Sequence, residues 1–176
     1  LKLNFEQVQK LASTKWNFAR FNPGLVGGHC LPVDPYYFSH IAKKNKIQTR
    51  VTLAGRSINE YMRKFIIKKI KKQIKEKNIN YKKDKIIFAG LTYKQNVSDM
   101  RNSQSFKIFN YFKKLNTNAF GLDPFLKKNL NNNIINFNDI KKIYDSKLII
   151  LLVEHKKFDS YFKKTKLKDK IIKILN

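Results

Sequence analysis

The run KIIFAGL, residues 85–91, is short and apolar and is bounded by a charged residue and a glycine. A second run, KLIILLV at residues 147–153, is continuously apolar after its lysine, a pattern typical of a strand covered on both faces. A third run is Asn118–Leu122, and the segment Ser103–Leu115 has its phenylalanines close to one face of a helix. Strand and helix therefore alternate, which predicts an α/β fold with a parallel sheet from about residue 79 onward.

Two further elements are predicted toward the C-terminus. Phe158–Lys163 is predicted to be helical, and Ile171–Leu175 is predicted as a final strand. The asparagine cluster Asn129–Asn133 is interpreted as a loop. No internal repeat is visible among these elements.

The first 78 residues have a helical pattern instead. Asp34-Pro35 predicts a helix start, with Asp34 as the N-cap and Pro35 at the first helical position, and this helix would run to about Lys44. Apolar residues four positions apart predict a longer helix, Thr52–Lys77, with one buried stripe. The stripe and its neighbours are Ile58, Met62, Ile66, Ile70, Ile74, Tyr61 and Phe65. The predicted organisation is a helical segment at residues 1–78 and an α/β domain at residues 79–176.

The N-terminal stretch Leu1–Leu11 has the pattern of a helix that is already under way. The first residue is Leu rather than Met. We therefore expect the sequence to begin inside a longer protein.

The chain is strongly basic, with 38 Lys and Arg against 12 Asp and Glu and a formal net charge of +26. A/T-rich codons encode Lys, Asn and Ile, so genome composition explains much of this excess. The 42% of hydrophobic residues can form a core and argues against disorder. No apolar run approaches the roughly 20 residues of a membrane span, and no secretory signal pattern is visible. The single cysteine, Cys30, excludes an internal disulfide and fits the cytoplasmic location that we expect.

The densest chemical signal is the segment Phe21–Tyr37, FNPGLVGGHCLPVDPYY. Cys30 follows two glycines in this segment and precedes Asp34 at the predicted helix start. Glycine lets the backbone approach a bulky ligand closely, and a position near a helix N-terminus favours the nucleophilic thiolate of a cysteine. The pattern also fits an inert cysteine buried in a glycine-rich turn, and composition alone leaves both interpretations open.

Other reaction classes lack their motifs. His29 adjoins Cys30, there is no second cysteine, and His40 and His155 show no ligand spacing, so no metal site is predicted. The two distant histidines are interpreted as surface or core residues. No nucleophile elbow and no complete GxGxxG fingerprint are present.

The residues GGHCLPVDPYY, preceded by TKWNFARFNPG, closely resemble the cysteine motif of the UDP-glucose/GDP-mannose dehydrogenase family. Members of this family are NAD-dependent enzymes that oxidise the C6 hydroxyl of a nucleotide sugar to a carboxylate. Further segments resemble the motifs that follow in order: RSINEYM at 56–62, GLTYKQNVSDMRNS at 90–103, GLDP at 121–124 and ILLVEHKKF at 150–158. The resemblance covers essentially the whole chain and implies a helical linker and dimerisation segment followed by a Rossmann-like UDP-sugar-binding domain.

The resemblance implies a role for each matching residue. Cys30 would be the nucleophile that captures the C6 aldehyde as a thiohemiacetal, which is then oxidised to a thioester and hydrolysed by water. Asp34 would help to position the water and the family's catalytic lysine. The loop before Cys30 would wrap the nucleotide sugar, and its implied substrate-contacting residues are Phe21, Asn22, Pro23, Gly24, Gly27 and Gly28.

Four more residues take implied roles from the same resemblance. Tyr93 and Lys94 match a pair that reaches the sugar, with the Lys94 ammonium available to the new carboxylate. Arg101 matches an arginine that contacts the dinucleotide, and its presence in a chain with few arginines argues against an incidental role. Arg56 is a further candidate for the substrate pocket. The implied cofactor is NAD, and the implied partners are a UDP-sugar and a second copy of the chain, bound through the long helix as a homodimer.

Val33, between Cys30 and Asp34, indicates the branch of the family, because the glucose and mannose branches commonly carry lysine at this position. The pattern GHC-x-PVDPYY is more similar to the branch that acts on UDP-N-acetylhexosamines for bacterial surface polysaccharides. The family's GxGxxG domain has no counterpart in these residues. The family's lysine and asparagine that act in the first oxidation also have no counterpart in these residues. We therefore expect all of these to lie upstream of Leu1, and we expect the chain alone not to turn over substrate.

Two other functions remain open from the sequence. The chain could be a non-catalytic UDP-sugar-binding remnant of such an enzyme. It could also be a basic nucleic-acid-binding protein, whose affinity would have to survive moderate salt. The aromatic residues at helix spacing are interpreted as core rather than as base-stacking platforms, so no specific nucleic-acid partner and no membrane partner are expected.

Overall fold

The computed structural model describes residues 3–21, 24–126, 133–163, 165 and 167–174. A five-stranded parallel sheet forms the C-terminal half, with the spatial order β3-β2-β1-β4-β5. The strands are β1 (Ile86–Ala89), β2 (Ala119–Leu122), β3 (Ile134–Ile135), β4 (Leu148–Leu151) and β5 (Ile171–Lys173). The predicted α/β fold with a parallel sheet is confirmed.

Six α-helices and one short 3-10 helix accompany the sheet within the described residues. They are α1 (Phe5–Ala12), α2 (Asp34–Lys44), α3 (Arg50–Glu76), α4 (Gln104–Leu115), α5 (Ile140–Tyr144), α6 (Lys156–Lys163) and the 3-10 helix Lys168–Lys170. The first three precede the sheet, so the helical segment predicted before about residue 78 is present. Ser103 is the N-cap of α4, and its hydroxyl accepts the N–H of Phe106 at 3.1 Å.

The sheet is covered on both faces, as the continuous apolar run of β4 predicts. One face packs against α3 and α4 in a cluster of buried residues that includes Ile70, Phe88 and Phe109. The other face packs against α5 and α6, with Ile149 and Phe158 among the fully buried residues. Each large apolar side chain that is buried contributes about 1.5–3 kcal/mol of stabilising free energy. This three-layer core is therefore the main stabilising feature of the C-terminal half.

The long helix α3 is buried only along its C-terminal half. Ile66, Ile70 and Ile74 are almost fully buried against the sheet. Ile58, which was predicted in the buried stripe, is 62% exposed, and Phe65, which was predicted beside the stripe, is 46% exposed. The stripe prediction is wrong for this part of the helix because its N-terminal half packs against α2 rather than over the sheet.

Three local predictions are also corrected. Val33, not Asp34, is the N-cap of α2, because the Cys30 carbonyl accepts the N–H groups of both Val33 and Asp34 at 2.9 Å and Asp34 becomes the first helical residue. Helix α1 begins at Phe5, with the side chain of Asn4 as its cap, so no helix runs through residues 3 and 4. Strand β3 and helix α5 were not predicted. Four residues of the asparagine cluster, 129–132, lie outside the described residues.

Candidate active site

The strand order creates a crevice at the carboxyl ends of β1 and β4. The chain leaves β1 toward β2 on one side and later returns to form β4 on the other side, which is the switch point where α/β sheets bind ligands. Gly90 directly follows β1 and has φ of +81°, and a Cβ there would lie 2.2 Å from the carbonyl oxygen of Val153. Because glycine has no side chain, the carboxyl ends of β1 and β4 can lie close together. The segment at residues 91–103 begins at this edge of the sheet.

A buried polar cluster holds this segment to the sheet. Asp123, at the end of β2, and His155, after β4, are both fully buried, and His155 Nε2 lies 3.0 Å from Asp123 Oδ2. The same carboxylate oxygen accepts the backbone N–H groups of Leu91 and Thr92 at 2.7 and 3.3 Å. The cluster therefore joins the ends of three neighbouring strands.

The hydrogen bonds of His155 define its tautomer. Nδ1 accepts the backbone N–H of Asn96 at 2.9 Å, so the ring proton is on Nε2 and is donated to Asp123. Asn96 has φ of +60° and its side-chain oxygen accepts the N–H of Lys156 at 2.9 Å. His155 thus fixes both ends of the loop that carries Tyr93 and Lys94. From the sequence, His155 was interpreted only as a surface or core residue and Asp123 had no role, because their contact joins the ends of separate strands.

The Cys30 loop is held against this segment. The N–H of Gly28 donates to the Arg101 carbonyl at 2.9 Å, and the side-chain amide of Asn102 donates to the Gly28 carbonyl at 2.9 Å. Gly28 has φ of +90°, and a Cβ there would lie 3.1 Å from the Tyr93 ring. The structure therefore brings the glycine loop, Tyr93 and Arg101 together at the carboxyl edge of the sheet.

The helices hold the same loop from the other side. Asn59 and Arg56 of α3 reach the carbonyls of Val26 and Leu31, each at 3.4 Å. Gln9 of α1 donates to the Phe21 carbonyl. The loop thus lies between the helical segment and the sheet domain.

Arg101 is fixed by Asp99. Its Nε and Nη2 donate to the Asp99 carboxylate, with the shortest distance 2.6 Å, and its backbone N–H donates to Oδ1 at 2.8 Å. The side-chain hydrogen bonds from Arg101, followed by the backbone one, lower the pKa of Asp99 to about 2. The pKa of Arg101 is raised, first by the hydrogen bond to Asp99 and further by the charges of Tyr93 and Cys30. The guanidinium is therefore within electrostatic reach of the thiol.

Replacement of Arg101 by methionine is expected to raise the pKa of Asp99 from about 2 toward 3.8. Because the native pKa is lowered, the ion pair contributes stability above pH 3.8, and this contribution is lost as the pH falls toward 2. A carboxyl-carbon NMR titration measures the midpoint, with Arg50→Met as a matched arginine variant that leaves it unchanged. A midpoint near 2 in the Arg101→Met protein would contradict the assignment of the shift to Arg101.

The remaining predicted site residues differ in their surroundings. Cys30 and Asp34 are exposed, and the backbone N–H of Asp34 donates to the Cys30 carbonyl at 2.9 Å. Lys94 is exposed, with its ammonium unpaired toward the described residues. Arg56 is 7% exposed, pairs with Glu60 at 3.0 Å and reaches the Leu31 carbonyl at 3.4 Å. Its place in the substrate pocket stays a prediction.

The glycine loop is described only in part. Phe21 and Gly24 are exposed, and Gly27 is buried against Asn102 and Tyr93. Asn22 and Pro23 lie outside the described residues.

Two findings concern other kinds of site. Across the described ranges, no cluster of three or more His, Cys, Asp or Glu side chains is arranged to hold a metal ion. None of the helices in the described part of the chain is long and apolar enough to span a membrane.

Comparison with known proteins identifies the class. Residues 1–61 match the central domain of the UDP-glucose/GDP-mannose dehydrogenase family, and residues 87–174 match its UDP binding domain. The chain belongs to this family, as its motifs predicted. The boundary at residue 78 between the two segments stays a prediction.

Several relatives of this chain are named as nucleotide-sugar dehydrogenases. Protein CapL of Staphylococcus aureus is 34% identical over 160 residues, which cover 90% of this chain and 38% of CapL. UDP-N-acetyl-D-glucosamine 6-dehydrogenase of Pseudomonas aeruginosa is 36% identical over 124 residues, 70% of this chain and 29% of that protein. The solved structure of UDP-D-ManNAc dehydrogenase from Pyrococcus horikoshii matches 99% of this chain and 41% of its own, with a TM-score of 0.75 and 25% identity. The chain thus spans well under half the length of these relatives.

Proposed function

We propose that this chain supplies the nucleophilic thiol and the nucleotide-sugar pocket of an NAD-dependent nucleotide-sugar 6-dehydrogenase. The observation that carries the proposal is the contact of Gly28 with Arg101, Asn102 and Tyr93, because it places the Cys30 loop at the carboxyl edge of the sheet. A parallel α/β sheet binds nucleotides at this edge. The pocket and the thiol would therefore face the same substrate.

Cys30 acts on the aldehyde stage of the sugar. Its sulfur bonds to C6 while the thiol proton passes to the carbonyl oxygen, which gives a thiohemiacetal. Loss of a hydride from C6 and of the hydroxyl proton gives a thioester. Water then attacks the thioester carbon, and the C–S bond breaks to release the carboxylate and restore the thiol. Asp34, exposed at the first residue of α2, is placed to orient that water.

The other proposed residues bind rather than react. The loop from Phe21 to Gly28, which includes Asn22, Pro23, Gly24 and Gly27, wraps the nucleotide sugar. Tyr93 contacts the sugar, and the exposed ammonium of Lys94 binds the carboxylate as it forms. Arg56, buried below the loop, supports the pocket through the Leu31 carbonyl.

A bound NAD would supply the hydride acceptor for each oxidation. We assign Arg101 of this chain to NAD binding. Asp99 does not use Nη1 of the exposed guanidinium, so Nη1 can contact a phosphate of the dinucleotide. The glycine-rich cradle for a dinucleotide pyrophosphate is not found in this sequence. We therefore propose that the chain works with a dinucleotide-binding segment outside these residues and does not turn over substrate without it.

For the substrate we propose a UDP-N-acetylhexosamine, with the uronate used for a surface polysaccharide. The support is Val33 in the cysteine motif and the relatives of the chain, which are named as dehydrogenases of UDP-N-acetyl-D-glucosamine and UDP-N-acetyl-D-mannosamine. UDP-glucose is the alternative substrate, and a direct comparison of the two binding affinities distinguishes them. A cytoplasmic location follows from the proposed use of NAD and a nucleotide sugar.

Binding by the 176-residue chain tests the pocket. Calorimetry is expected to show that a UDP-N-acetylhexosamine binds at 0.5 M salt. Tripolyphosphate serves as the polyanion control, because its loose attraction to the basic surface is screened at this salt concentration. Lys94→Met is expected to weaken binding of the uronate product about tenfold and of the substrate little, since only the product offers a carboxylate at C6. Lys82→Met, another exposed lysine, is the matched control. Equal losses in both variants, or no nucleotide-sugar binding at all, would contradict the proposal.

A second candidate is a UDP-sugar-binding remnant that no longer performs the oxidation. It predicts the same binding but no dinucleotide-binding segment. The coding DNA upstream of Leu1 distinguishes the two: an in-frame segment with a strand, a GxGxxG turn and a helix supports the dehydrogenase, and a stop codon supports the remnant.

We also propose that the chain forms a homodimer through α3. Four apolar side chains, exposed by 46–88%, recur along one face of its N-terminal half at the spacing of a helical stripe: Val51, Ile58, Tyr61 and Phe65. An exposed stripe of this length indicates a protein interface.

Replacement of Ile58 by glutamate is expected to convert the dimer to a monomer. A charge at the centre of an apolar interface must be desolvated without a partner, which costs several kcal/mol. Light scattering after size exclusion measures the mass, and Ile140→Glu, at a similarly exposed isoleucine of α5, is the control that should remain dimeric. A native monomer, or an Ile58→Glu dimer, would overturn this interface.

A further inference from the structure

Asn102 and the preceding residue, Arg101, each bind one polar group of the Gly28 backbone. The side-chain amide of Asn102 donates to the Gly28 carbonyl at 2.9 Å, while the preceding carbonyl, of Arg101, accepts the Gly28 N–H at 2.9 Å. Both polar groups of the Gly28 backbone are thus bound by two consecutive residues. We call this arrangement the Gly28 clip.

The clip is the tightest attachment of the Cys30 loop. Among the described residues 24–31, the other hydrogen bonds to distant parts of the chain are from Asn59 to Val26 and from Arg56 to Leu31, both at 3.4 Å. Hydrogen bonds weaken at such distances. The bonds of the clip, two residues before Cys30, are therefore the shortest that tie this loop to a distant part of the chain.

The backbone of Asn102 is shaped for this contact. Its φ is +49°, a left-handed conformation that asparagine tolerates better than most residues. Its carbonyl oxygen lies against Gly27, where a Cβ would come within 2.8 Å. The loop is therefore in contact with both the side chain and the main chain of Asn102.

We propose that Asn102 is a positioning residue for the reaction of Cys30, an inference that rests on the proposed dehydrogenase function. Asn102 does not touch the reacting atoms. It fastens the thiol loop to the segment at residues 91–103, which also carries Tyr93, Lys94 and Arg101. The thiol is thereby held in register with the groups that bind the sugar and the dinucleotide.

The clip itself is tested by amide hydrogen exchange in the 176-residue chain. Asn102→Asp keeps the size and the tolerance for positive φ but has no donor for the Gly28 carbonyl. The Gly28 amide is expected to exchange about fivefold faster in this variant, while the sheet amide of Ile87 is unchanged. Asn78→Asp changes another asparagine with positive φ, 55°, and should leave Gly28 exchange at the native rate. Gly28 exchange within twofold of native in Asn102→Asp would overturn the clip.

The positioning role is tested in the dehydrogenase that carries this chain. Asn102→Asp is expected to lower kcat at least tenfold with KM for the nucleotide sugar changed less than twofold, because the loop is misplaced while the pocket persists. Native kcat in Asn102→Asp, or an equal fall in Asn78→Asp, would overturn the role. An inactive native protein would overturn the proposed function and the positioning role with it. The exchange experiment would still decide whether the clip exists.

Discussion

Replacement of Cys30 by alanine is expected to abolish formation of the uronate in the dehydrogenase that carries this chain. Without the sulfur, the aldehyde has no group on which to form a thioester, and loss of a covalent nucleophile costs on the order of 10^4-fold or more in rate. Because Cys30 is exposed, the thermal stability of the protein should not change. Chromatography of the products, alongside NADH absorbance, measures the effect.

His40→Ala provides the control for this experiment, since His40 is exposed on α2 and has no proposed role. The control should form uronate at the native rate. Uronate formation by the Cys30→Ala protein at more than about one hundredth of the native rate would remove the thiol from the reaction.

Replacement of Gly90 by alanine is expected to destabilise the fold by about 3–5 kcal/mol, a large part of the stability of an ordinary domain. The new Cβ would lie within 2.8 Å of three backbone atoms of Val153, and φ of +81° adds conformational strain. Backbone atoms cannot move aside as a flexible side chain can, so β1 and β4 would have to separate at their carboxyl ends. Urea unfolding measures the change.

Gly55→Ala is the matched control, because Gly55 lies inside α3 with nothing within 4 Å of a new Cβ. This variant should gain about 0.5–1 kcal/mol from the higher helix propensity of alanine. A Gly90→Ala protein that loses less than about 1 kcal/mol would show that the strand ends are not as closely packed as described.

The strands and helices with strong local patterns were predictable from the sequence. The apolar runs around Phe88 and Ile150 gave strands, and the spacing in α4 gave a helix, because each pattern extends over several residues. Strand β3 has only two residues, Ile134–Ile135, beside an asparagine cluster, so no run was long enough to detect. The exposed N-terminal half of α3 was missed for a different reason: helical spacing predicts an apolar face but not what covers it.

The candidate site was predictable only where a local motif carries it. The cysteine segment and the segment with Tyr93 and Arg101 are each recognisable as continuous stretches. Their contact is not, because the bond from Asn102 to Gly28 joins residues 74 positions apart. The buried pair of Asp123 and His155 was missed in the same way, since it joins the ends of separate strands.

The most direct test of the central claim is to follow a nucleotide-sugar 6-aldehyde, labelled with 13C at C6, on the 176-residue chain by NMR. Cys30 is the single cysteine, so a thiohemiacetal can form at one place only. At saturating ligand the C6 resonance is predicted to move from the aldehyde and its hydrate to a thiohemiacetal in the native chain and not in Cys30→Ala. Identical aldehyde and hydrate resonances in both proteins would contradict the assignment of Cys30 as the nucleophile.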